Sequence, residues 1–131
     1  MKICLCMTWS SRLLILFLLL NGVLVGCNRS ARNLSLNQPQ ARDACHEFLT
    51  AWQSGKTVVD LKPKIIGRDS DWERGQKLES FEILKDERRD GPNLHLTVRQ
   101  TLKNDAGQVT QQEVVYVVGT SPVVTVFRSD E

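Results

Sequence analysis

Several things that would announce a function are scarce in this chain. Among 131 residues there is one tyrosine and there are two histidines, and aromatic residues make up only 6%. The formal net charge is +2 and no block of Lys and Arg occurs, so the clustered phosphate neutralisation that holds nucleic acid has no basis here. Nucleic acid is therefore not an expected partner. The longest apolar stretch, residues 13–25, runs 13 residues with Asn21 and Gly22 inside it, whereas a bilayer-spanning helix needs about 20. A transmembrane anchor is excluded as the reading of that stretch. Four cysteines are present, at positions 4, 6, 27 and 45, and none falls at zinc-binding spacing with His46 or His95. No metal site and no cofactor site is expected.

What the chain does have is concentrated near its start. Lys2 and Arg12 supply positive charge, LLILFLLL follows at residues 13–20, and small residues precede Cys27. This is the three-part layout of a secretory signal. Met7 offers a second possible start, since MTWSSR ahead of the leucines makes a tidier signal than MKICLC. The rival readings are an ordinary signal that happens to end near a cysteine, or a buried cysteine of a short membrane segment.

Leu24, Val25, Gly26 and Cys27 resemble the lipobox of bacterial lipoproteins, a short pattern of Leu, a small or branched residue, Gly or Ala, and an obligatory Cys. The resemblance implies a diacylglyceryl group on the Cys27 thiol, cleavage between Gly26 and Cys27, and acylation of the new amine. It implies a domain anchored by lipid in the cell envelope, standing in the periplasm or outside. Asn28, where an inner-membrane retention signal prefers Asp, makes the outer membrane the default. Two or more acyl chains hold a protein stably on a membrane, where one is marginal.

Cleavage there removes residues 1–26 and leaves 105, enough for one small domain. Taking Lys2 and Arg12 from the 17 Lys and Arg leaves 15 against 15 Asp and Glu, so the mature chain is formally neutral. Cys4 and Cys6 leave with the signal and Cys27 is acylated, so Cys45 has no thiol to pair with. Residues 27–38 are polar and read as the lipidated terminus and a tether; the domain is expected over 39–131.

Within the domain, Ala41, Ala44, Cys45, Phe48 and Trp52 recur at helical spacing from Pro39, with Gly55 as a stop. Cys45 falls on the buried stripe and His46 at its rim. A short helical turn is expected at 58–61, followed by irregular chain broken by Pro63 and Gly67. Asp69, Asp71 and Glu73 surround Trp72, and the spacing departs from a calcium loop. The expectation is that Trp72 plugs one end of the core while the acids face water. Strands are expected at 77–85, at 94–103 with Leu94, Leu96, Val98 and Leu102 inward and His95 outward, at 109–119 and at 122–128, the second and third joined by a turn over NDAGQ.

The fold class is therefore α+β, one N-terminal helix packed on a curved four-stranded antiparallel sheet. This order, with the DWERGQKLESFEI segment between helix and strands, resembles the cystatin-like and NTF2-like folds. Enzymes of that kind imply polar side chains inside a deep cone, and here no convincing pair is legible. The expected role is a non-enzymatic binding or structural module whose partner is an envelope protein or an apolar ligand. The alternative is an NTF2-like enzyme using His46, Asp69 or Asp71 as a base in a pocket between helix and sheet. The concave face is expected to be apolar and to hold no acid and base within hydrogen-bond reach.

Overall fold

The computed structural model describes residues 35–130. Helix α1 spans Gln38–Gln53, where Asn37 accepts a bond from the Gln40 N–H and Pro39 sits in the first turn. Both features favour a helix start, because the cap satisfies an orphan donor and Pro has no N–H to lose. Gly55, at φ +79°, lets the chain turn out after the helix. The expected stripe is buried, and Leu49 and Ala51 widen it.

A 3-10 turn at Val58–Leu61 follows, held by Thr57 and Asp60. The next elements are β1 at Ile66–Arg68 and a one-turn helix, α2, at Ser70–Glu73. Then come β2 at Lys77–Asp90, β3 at Asn93–Lys103, β4 at Val109–Gly119 and β5 at Thr125–Arg128. The sheet order is β1-β5-β4-β3-β2. Neighbours from β2 to β5 are antiparallel, and β1 lies parallel to β5. Among the described residues, no helix is long and apolar enough to cross a membrane.

The α+β class holds, with one main helix on one face of the sheet, but the sheet is five-stranded and mixed, not four-stranded and antiparallel. The additional strand, Ile66–Arg68, is three residues long and leaves no alternation to count. Its glycine also has a different meaning from a breaker. A Cβ at Gly67 would lie 2.4 Å from Phe48 Cε2 and 2.6 Å from the Val126 carbonyl oxygen. The residue is glycine so that α1 can press a phenyl ring directly on the strand.

Two other boundaries differ. The last strand begins at Thr125, not at residue 122. The first long strand continues to Asp90, because β2 is a sheet edge where one side of a charged segment such as KDERRD stays in water. Register shifts between Leu78 and Ser80 and between Ile83 and Glu87 break its alternation, which is why a period-two count stops early.

The core lies between α1 and the inner sheet face. Phe48, Leu49, Leu96, Val98, Tyr116, Val118 and Val126 are fully buried. One end is closed by aromatic rings: Trp72 stacks on Trp52 at 5.5 Å and 6°, and meets the Phe48 edge at 5.0 Å. The indole N–H groups of Trp52 and Trp72 donate to the Gln76 and Lys56 carbonyls.

Candidate functional site

The inward positions of β3 run Leu94, Leu96, Val98, Gln100 and Leu102, so an amide interrupts the hydrocarbon. Register places Gln100 opposite Gln112 and Leu96 opposite Tyr116 on β4, and Tyr116 opposite Arg128 on β5. Three neighbouring strands thus turn polar groups toward one region under the α2 turn.

Asp69 supplies the centre of that region and is fully buried. Its Oδ1 caps α2, accepting from the Asp71 N–H at 2.8 Å and the Trp72 N–H at 3.0 Å. Its Oδ2 accepts from the Tyr116 hydroxyl at 2.5 Å. Tyr116 in turn accepts from Gln100 Nε2 at 2.7 Å. Gln112 Nε2 donates to Gln100 Oε1 at 3.2 Å and to Asp71 Oδ2 at 2.8 Å. Asp71 also pairs with Arg128, and with Arg74 at 2.8 Å. Arg128 Nη1 stands 3.7 Å from Asp69 Oδ1 and Arg128 Nε 3.6 Å from Asp130. Among the described residues no buried side-chain nitrogen or oxygen lacks a partner.

This corrects two expectations. Asp69 and Asp71 do not face water; only Glu73 of the three acids is exposed. The inner face does hold titratable groups within hydrogen-bond reach, Asp69 with Tyr116 and Asp71 with Arg128. The physical reason is the short α2 turn: Asp69 must point inward to cap it, and β1 leads the chain across the sheet end so that the cap meets Tyr116.

Electrostatics follow from burial. Burial opposes charge on Asp71, but hydrogen bonds from Gln112 and Arg128 and the charges of Arg128 and Arg74 hold its carboxyl below the ordinary value. Burial, the Asp69 charge and the bond to Asp69 push the Tyr116 phenol well above its usual value. Burial would also discharge Arg128, yet the Asp71 bond and the two carboxylate charges keep its pKa raised. The arrangement is a carboxylate held ionised, a phenol held neutral and a cation locked between two acids.

The remaining expected residues lie elsewhere. His46 is exposed, with its ring edge-on to Phe81 at 5.4 Å. It lines a groove of about 500 Å³ with Arg42, Asp43, Ile83, Leu84, Lys85 and Glu87. Glu87 accepts from Arg42 at the groove wall, and that bond, with Arg42's charge, holds its carboxyl below the usual range. His46 therefore stands apart from Asp69 and Asp71, as one member of a groove between α1 and β2. His95 is on the outer face beside Arg88. Cys45 is buried, and burial pushes its thiol up to about 12. Gly26 and Cys27, the cleavage and lipidation positions, lie outside the described residues. Among those residues no group of three or more His, Cys, Asp or Glu is placed to hold a metal ion.

Gln100, Gln112, Tyr116 and Arg128 were not legible as a set. The available signal was an amide at an inward position of β3: counting every second residue puts Val98, Gln100 and Leu102 on one face, so Gln100 had to enter the core. No family model matches this chain, and no curated protein and no solved structure matches it.

Proposed function

We propose that the chain is a bacterial lipoprotein, anchored in the cell envelope by acyl groups on Cys27, and that its small cystatin-like or NTF2-like domain is a non-enzymatic binding or structural module. The observation that carries this reading is the run Leu24–Val25–Gly26–Cys27 placed directly after a charged start and an apolar segment. Thiol alkylation and cleavage at a small residue account for those residue types together.

The polar network supports the non-enzymatic part of the reading. Both Asp69 oxygens are engaged by the α2 cap and Tyr116. A base must reach a substrate proton across about 2.6–3.2 Å, and Asp69 is enclosed. Hollows of about 150 and 320 Å³ flank Arg128, and neither is lined by Asp69 or Asp71. The network reads as a polar clasp that fastens α2 and β5 to the sheet. The ligand or partner is an envelope protein or an apolar molecule, for which the groove of about 500 Å³ beside His46 offers a lining of Ile83 and Leu84.

The alternative is an NTF2-like enzyme, and the buried Asp69–Tyr116 pair is what favours it. An enzyme would lose turnover on Asp69→Asn while keeping its fold, whereas a clasp loses stability. The anchoring reading is tested by Cys27→Ser in the full chain: the wild type is expected in the membrane fraction, and the variant to remain as uncleaved precursor without acyl mass. An unchanged mature form in the variant sinks the lipoprotein reading.

A further inference from the structure

The chain enters the described fold at one corner. The Asn37 N–H donates to Thr120 Oγ1 at 3.0 Å, and that hydroxyl donates to the Ser35 carbonyl at 3.4 Å. Thr120 follows Gly119, which pairs with Thr125, and Thr125 pairs with Ile66. At this corner stand three of the exposed large apolar side chains, Val123 at 47%, Phe127 at 41% and Ile66 at 37%. Ile66 and Phe127 project from the sheet face away from α1, because Gly67 and Val126 between them turn to the core and successive side chains alternate. Val115 and Val117 continue the same face and are half-buried.

Eight residues lead from Cys27 to Ser35. Fully extended they reach about 29 Å at about 3.6 Å each, and as a coil on the order of 16 Å. An anchor on Cys27 therefore keeps Ser35, and the Val123 corner beside it, within reach of the lipid. The linking residues add the right charge: Arg29 and Arg32 lie between anchor and corner, and no acid occurs from residue 27 to residue 42. Arg68, beside Phe127 in the register and paired with Glu73 at 3.0 Å, has a side chain 72% exposed.

We propose that Val123, Ile66 and Phe127 dock on the lipid surface that carries the anchor. The inference rests on the lipid-anchor reading. Three apolar side chains bind a bilayer weakly in free solution, but tethering makes the contact intramolecular, at an effective concentration on the order of millimolar. Basic linking residues favour an anionic surface. The domain would then lie with its outer sheet face, at the Val123 corner, against the headgroups and with α1 on the side away from them.

The test uses the full-length acylated protein in vesicles of phosphatidylethanolamine and phosphatidylglycerol. A fluorophore is placed on Val123→Cys or, as the distant control, on Thr50→Cys, exposed on α1. Cys45 is fully buried and Cys27 carries the lipid, so the new thiol takes the label. Nitroxide lipids are expected to quench the label at 123 several-fold more than the label at 50. Ile66→Asp with Phe127→Asp should abolish the difference. Equal quenching at both positions in protein that floats with the vesicles overturns the docking and leaves the anchor intact. Shielding at 123 that grows with protein density and owes nothing to nitroxide overturns it in favour of a second copy. Protein that does not float removes the anchor reading, and the docking falls with it.

Discussion

The Tyr116 hydroxyl donates to Asp69 Oδ2 at 2.5 Å, joining β4, the middle strand of the sheet, to a residue 47 positions earlier that caps a single helical turn. One hydrogen bond thus ties the segment between α1 and β2 to the middle of the sheet. Tyr116→Phe leaves that carboxylate oxygen and the Gln100 amide without their partner. The expected loss is about 1–3 kcal/mol, read as a lower urea midpoint with an unchanged slope. Stability unchanged within a few tenths would remove the clasp from the account.

Tyr116 also sets an alkaline limit. Its folded pKa is raised above the unfolded value of about 10, so folding favours the neutral phenol. The contribution is complete below about pH 10 and declines as pH rises through the folded value. Cys45, pushed up to about 12, adds a second decline beginning near its ordinary value of about 8.5. Tyr116→Phe should retain only the cysteine part, and identical alkaline profiles for wild type and variant would contradict the assignment.

Asp71 gives the opposite limb. Its carboxyl is held below the ordinary value, so its contribution is present above about pH 4 and is lost as pH falls through the lower folded value. Asp71→Asn is expected to lose about 1–3 kcal/mol at neutral pH and to flatten the acid limb. Melting curves from about pH 7 down to about pH 2 check both, and an acid limb as steep as that of the wild type would place its origin elsewhere.

Gly67→Ala forces a methyl group to within 2.4 Å of the Phe48 ring. The crowding should cost about 1–3 kcal/mol. Phe48→Leu in the same chain should recover part of it, because the smaller side chain makes room. An additive double mutant would mean that the two residues do not press on one another.

The sequence reading reached α1 because its apolar residues recur over four turns and both ends carry stop signals. It reached β3 because an eleven-residue strand shows its alternation, and β4 because its run is rich in β-branched residues. It missed β1, whose three residues have no period and whose glycine looks like a break until Phe48 is seen against it. It also missed the polar clasp. Asp69, Asp71 and Trp72 stand out in the sequence, but their inward direction comes from the cap on α2, and their partners Gln100, Gln112, Tyr116 and Arg128 come from three strands brought alongside only by the sheet register. Asp71 and Arg128 are 57 positions apart, and nothing local to either one points to the other.

The most direct measurement is the intact mass and terminal sequence of the mature protein isolated from envelope membranes. The account predicts a chain beginning at Cys27 that carries a diacylglyceryl group and an acylated amine. A chain that begins beyond Cys27 without added mass, or one that retains residues 1–26, would contradict it.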